Sequence, residues 1–148
     1  MFVRDFIEIP QPFEAVAPRL VCNAAWLNPF LHAALEEAVS TLGALSTDEP
    51  LTLRLAPLTV RCGRGPVRLR ADTLVMPLRW ETNLPAFLVP DVDGELEVAP
   101  LGVVRSQLAL NANAGPSSPG QDDIARRVME TELRAFLRHL AAEFQPMS

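Results

Sequence analysis

The stretch SPGQDDIARRVMETELRAFLRHLAAEF, from Ser118 to Phe144, decides the fold. Ser118, Pro119 and Gln121 match a capping box, with a hydroxyl at the N-cap, proline at the first helical position and glutamine at the third. Asp122 and Asp123 place negative charge where the helix dipole favours it. Ala125, Met129, Leu133, Phe136, Leu137, Leu140, Ala141 and Phe144 then recur at spacings of three and four and draw one broad apolar stripe. Arg126, Arg127, Glu130, Arg134, Arg138 and Glu143 lie mostly off it, and Pro146 follows the stop. A stripe this long needs a large apolar partner, and the strand-rich middle of the chain is the one on offer.

Composition sets the outer bounds. The chain has 148 residues, long enough to bury a core, and reads as a single domain over 1–148. A hydrophobic content of 49% with 21% charged residues argues for a globular chain rather than a disordered one. No apolar run is long enough to span a membrane. Met1-Phe2-Val3-Arg4-Asp5 alternates in the manner of a strand and is unlike a signal peptide, so a cytoplasmic location is expected. The net charge of −5 argues against nucleic acid as a partner. Cys22 and Cys62 are expected to be free thiols. All 13 basic residues are arginine and there is no tyrosine, which removes Schiff-base lysine, P-loop lysine and tyrosine-acid chemistry.

Read in order, Phe2 to Ile9 is a strand with Val3, Ile7 and Ile9 on one face and Phe2 and Phe6 on the other. Pro12 opens a short helix, and Pro18 interrupts it or starts a new turn. Asn28 as N-cap and Pro29 at the first position start a second helix, with Leu31, Leu35, Ala38, Val39 and Leu42 on its apolar face and Gly43 at its end. From Leu51 the period becomes two. Leu51 to Leu55, broken at Pro57, reads as an edge strand or a bulge; Leu58, Val60 and Cys62 continue it to a turn at Gly63–Pro66. Val67 and Leu69 alternate with Arg68 and Arg70. Thr73 to Thr82 is a strand with Leu74, Met76, Leu78 and Trp80 on one face, and its Pro77 suggests an edge or a bend. Asn83 to Asp93 reads as a loop and Glu95 to Ala99 as a strand, with a tight connection at Pro100-Leu101-Gly102. Val103 to Asn111 is the last strand, with Val104, Leu108 and Leu110 sharing a face. The order predicts an α+β fold: a mostly antiparallel meander of six to seven strands, two short helices after the first strand, and the long helix across the buried face.

This order resembles the START-like superfamily, also called Bet v 1-like or SRPBCC, with its helix-grip fold. Ile7-Glu8-Ile9-Pro10 followed by Phe13-Glu14-Ala15-Val16 is similar to the family's opening strand and short helix. The strand Val75-Met76-Pro77-Leu78-Arg79-Trp80, the hairpin Leu96-Glu97-Val98-Ala99-Pro100-Leu101-Gly102 and the helix Val128 to Leu140 are similar to a bacterial branch of it. The resemblance covers nearly the whole chain as a pattern of elements and brings no catalytic motif. It implies an apolar cavity between sheet and long helix, in proteins that are polyketide cyclases or aromatases, lipid carriers or stress-related binding proteins. The internal prolines and missing tyrosines depart from the pattern.

Individual candidates each carry two readings. Trp80 is either a core tryptophan whose N–H finds a partner or a flat wall for a ring-shaped or acyl ligand. His139, at the margin of the stripe, is a helix-end histidine or a cavity acid or base. Arg79, Glu81, Arg105 and Gln107 are expected to face solvent. Arg61, Arg64, Arg68 and Arg70 are a solvated strand face or a patch for an acidic partner. Gly63-Arg64-Gly65 lacks the third glycine and following helix of a dinucleotide loop. Cys22, His32, Cys62 and His139 lack metal-ligand spacing, so neither metal nor cofactor is expected. The expected function is a binding module holding a small hydrophobic molecule against Met76, Leu78, Trp80, Leu108, Leu110, Met129, Leu133, Phe136 and Leu140. A cyclase or aromatase-like enzyme, and a structural or interaction protein with a filled core, are the alternatives. A homodimer stays open.

Overall fold

The computed structural model describes residues 2–21, 24–45, 58–83, 89, 91–114 and 122–144. Among these residues six strands run β1 Phe2–Ile9, β2 Val60–Arg64, β3 Arg68–Arg70, β4 Thr73–Thr82, β5 Val92–Leu101 and β6 Arg105–Ala114. Three helices, α1 Phe13–Val21, α2 Asn28–Leu45 and α3 Asp122–Ala142, flank them, and a single 3-10 turn at Ala24–Leu27 leads into α2. All strand pairs are antiparallel, in the order β1-β6-β5-β4-β2, with β3 also on β4. Leu51 to Pro57 and the capping box at Ser118–Gln121 fall outside the described residues.

Alternation along each strand gives the sheet a dry face and a wet one. Met76, Leu78 and Trp80 of β4 sit in register with Leu96, Gly94 and Val92 of β5, and Leu96 with Leu110 of β6. Against this face α3 lays the predicted stripe, all eight residues of which are buried. Each fully buried large side chain contributes about 1.5–3 kcal/mol. The wet face carries a ladder of ion pairs. Arg68 meets Glu95 at 2.7 Å, Arg79 meets Asp93 at 3.0 Å, Arg105 meets Glu8 at 2.7 Å, and Arg4 and Arg70 reach Glu97. Phe2 and Phe6 stand exposed on the same side.

Several boundaries differ from the sequence reading, each for a local reason. Pro77 lies in a strand paired on both sides, not on an edge. Its carbonyl accepts from the Gly65 amide at 2.9 Å, so its own nitrogen faces the Gly65–Val67 break between β2 and β3, where no ladder hydrogen bond is lost. Pro18 sits inside α1 without ending it, and α2 runs past Gly43 to Leu45. Asn28 does not cap α2, because the 3-10 turn feeds straight into that helix; its buried Oδ1 finds no partner among the described residues. Strand β5 is longer than Glu95–Ala99 and absorbs Pro100, which pairs with Ser106. The turn falls at Gly102, with φ +74°, which leaves Val104 in the turn and exposed instead of inward with Leu108.

The backbone of β6 crowds β5 at Gly94. A Cβ there would lie 2.3 Å from the Asn111 carbonyl oxygen, whereas one at Gly63 would meet nothing within 4 Å. Gly94→Ala is therefore expected to cost about 1–3 kcal/mol, and Gly63→Ala less than about 0.5 kcal/mol. Urea denaturation of the two variants checks this; equal midpoints would mean the strands part freely at Gly94.

Candidate functional site

Midway along α3, on its buried side, stands the one buried charged-type residue among those described. Glu132 is 2% exposed, between Met129 and Phe136 of the apolar stripe. Trp80, 0% exposed, reaches it from β4, and the indole Nε1–H donates to Glu132 Oε1 at 2.8 Å. The pair bridges 52 positions of sequence and joins helix to sheet through the middle of the core. Strand alternation points Trp80 inward beside Cys62 of β2 and Val92 of β5. Burial pushes the Glu132 carboxyl up to about 7, against the opposing pull of the Trp80 hydrogen bond. Burial likewise pushes the Cys62 thiol up to about 11.

Trp80 is the only hydrogen-bond partner of Glu132 among the described residues. That leaves the carboxyl short in either protonation state. The neutral acid has an O–H that an indole N–H cannot accept, and the carboxylate has a single neutral donor for its charge. A buried carboxyl titrating near neutrality can hold a polar group of a ligand or move a proton.

All nine residues predicted to line a cavity belong to one buried cluster with Ile9, Leu20, Leu27, Leu31 and Leu96. Trp80 is a core tryptophan with a satisfied N–H; its partner was not anticipated. The signal was present, since Glu132 falls three residues after Met129 and four before Phe136, in phase with the stripe. His139 lies outside this layer. It sits on the seam with α2, its Nε2 3.2 Å from Glu37 Oε1, beside Arg138, which donates to the same carboxylate at 2.6 Å. The Arg138 hydrogen bond is the main reason that Glu37 titrates below its usual range.

The four arginines of β2 and β3 do not form one patch. Arg68 and Arg70 pair with acids of β5, Arg61 is exposed, and Arg64 turns to the inner side and donates to the Val21 carbonyl. Arg79, Glu81 and Arg105 are exposed and Gln107 half-buried on the outer face. His32 contacts the Leu58 carbonyl and Glu36, and no group of three candidate metal ligands assembles among the described residues. Cys22 lies outside the described residues. A groove of about 730 Å³ crosses the outer face over Gly63, Pro77 and Gly94, between Phe2, Arg79 and Asn113. It is separated from Trp80 and Glu132 by the sheet.

By sequence, no family model and no curated protein matches the chain. By structure, it is similar to a hypothetical protein of Helicobacter pylori, at 12% identity and a TM-score of 0.52, over 98% of this chain and 88% of that one. The fold is an antiparallel α+β helix grip. At this identity the likeness speaks for the fold alone. The helix grip also aligns with a conserved protein of Geobacillus kaustophilus, at 12% identity and TM-score 0.47 over 97% of both chains. A third match is the ZhuI aromatase/cyclase of Streptomyces sp. R1128, at 16% identity and TM-score 0.40 over 97% of this chain and 92% of that one. No helix among the described residues is long and apolar enough to cross a membrane.

Glu132 gives the helix grip a stability that falls with rising pH. Its folded carboxyl titrates at about 7 against an ordinary 4.5, so the folded state binds the extra proton between those values. Stability is full below about 4.5, declines through the window and levels off above about 7, a loss on the order of 3 kcal/mol. Glu37, held low, loses its contribution only on acidification and lies outside the window. Urea melts at pH 5 and pH 8 are expected to differ in the parent by this loss and to differ less in Glu132→Gln. Equal pH dependence in the two proteins would show that Glu132 is ionised in the core or reached by water.

Proposed function

We propose that the protein binds a small apolar molecule in the layer between sheet and α3, with the Trp80–Glu132 pair as its polar end. The observation that carries this reading is the under-partnered carboxyl at the centre of an otherwise apolar layer. A purely structural core gains nothing from such a group, because desolvating it costs free energy that leucine at the same place would not. A ligand site does gain, since a single polar group among apolar walls fixes the orientation of what binds. The nine residues named above supply those walls. They touch one another in the cluster, so the ligand takes its place by parting α3 from β4.

A second reading has one observation in its favour. A carboxyl titrating at about 7 is suited to proton transfer at neutral pH, which fits an enzyme of the cyclase or aromatase kind. His139 has no part in it, being on the α2 seam.

Two measurements test the binding reading. Organic extracts of the purified protein, analysed by mass spectrometry, are expected to contain a co-purifying apolar molecule. Calorimetric titration with 2-ethylnaphthalene is expected to show saturable binding that Leu140→Trp, which adds bulk to the layer, removes. A parent protein that yields no extract and binds no probe would leave Glu132 a structural group in a filled core.

A further inference from the structure

We infer that the ligand of this layer carries an uncharged hydrogen-bond acceptor, a carbonyl or ether oxygen, that accepts a hydrogen bond from the Glu132 carboxyl O–H. This rests on the reading of the layer as a binding site and narrows its ligand class.

The geometry fixes what is missing. Trp80 Nε1–H occupies Oε1 as an acceptor, and the indole offers no lone pair in return. The stripe residues around Glu132 on α3, Met129, Leu133 and Phe136, offer no strong acceptor either. A carboxylate would need a cation, and four described arginines of α3 and β2 are engaged elsewhere. On α3, Arg126 donates to the Phe2 carbonyl, Arg134 meets Asp5 and Arg138 meets Glu37; on the inner side of β2, Arg64 serves the Val21 carbonyl. The layer therefore holds the neutral acid, whose one unmet demand is an acceptor for its O–H. Burial, by raising the carboxyl to about 7, agrees with this.

Other titratable groups on the elements around α3 do not substitute for it. Asp5 of β1 is paired with Arg134, and His32, Glu36 and Glu37 of α2 lie on the surface side of that helix with their own partners. Asp93, Glu95 and Glu97 of β5, like Arg79 and Glu81 of β4 and Arg105 of β6, face outward through the sheet. Cys62 of β2 shares the inner face, and with its thiol raised to about 11 it stays protonated.

The test is a matched set of probes: 2-acetylnaphthalene, 2-ethylnaphthalene and 2-(aminomethyl)naphthalene, titrated calorimetrically at pH 5.5 and 8.5. At pH 5.5 the acetyl probe is expected to bind about tenfold tighter than the ethyl probe, the worth of one hydrogen bond. That preference is expected to shrink about tenfold at pH 8.5 as the carboxyl ionises, while the ethyl probe changes little. Glu132→Gln, whose amide N–H donates without titrating, is expected to keep the preference at both pH values. Glu132→Met is expected to lose it while still binding the ethyl probe. Equal binding of the acetyl and ethyl probes, a preference that ignores pH, or tightest binding of the amine would overturn the inference and leave the layer as a binding site. Failure of all three probes at both pH values would overturn the site and the inference together.

Discussion

The burial of one sheet face by α3 is the constraint on which the rest of the molecule depends. Buried side chains of β1, β4, β5 and β6 form one cluster with those of α3, and the other helices secure it. Helix α2 is clamped to α3 at the surface by Glu37 with Arg138 and His139. From α1, Arg19 donates to the Glu143 carbonyl and lies 4.7 Å over the Phe144 ring at the end of the same helix. Trp26 meets that ring edge-on at 6.4 Å. Ser106 fixes the β1–α1 link by donating to the Gln11 carbonyl. The outer ion-pair ladder adds little free energy rung by rung. Its arginine stems and carboxylates cover Val75, which is fully buried although it points to the wet side.

Much of this was legible in the residues. Period-two runs at Thr73–Thr82 and period-3.6 spacing from Ala125 to Phe144 carry their own geometry, because alternation and helical pitch are local properties. What sequence misplaced were the prolines and the turns. Pro77 was legible as a hydrogen-bond defect, but whether a defect lies at an edge or in the middle depends on where the neighbouring strand happens to break, here at Gly65. Val104 continued an alternating pattern that the left-handed Gly102 cut short.

The candidate site was legible by half. The apolar residues identified themselves by period, and Trp80 announced the need for a partner. Glu132 was hidden by habit, since acids on helices are read as solvated. Its phase with Met129 and Phe136 contradicted that, and only the register of helix against sheet could say which buried group it would meet. The pairing of an in-phase acid with an inward tryptophan is a cross-element property that periodicity alone does not encode.

The strand order has a consequence for how the chain comes into being. Strand β1 is synthesised before the other described strands, yet its partner is β6, with Phe2 opposite Asn113 and Ile9 opposite Ser106. It also meets α3 at Arg126 and Arg134, and β5 through the Arg4–Glu97 pair. On a ribosome this strand therefore waits, its backbone unpaired and Val3 and Ile9 bare, until roughly a hundred further residues have emerged, the kind of long-range closure that slows folding. Nascent chains stalled before β6 would be the aggregation-prone species, with β1 as their adhesive edge.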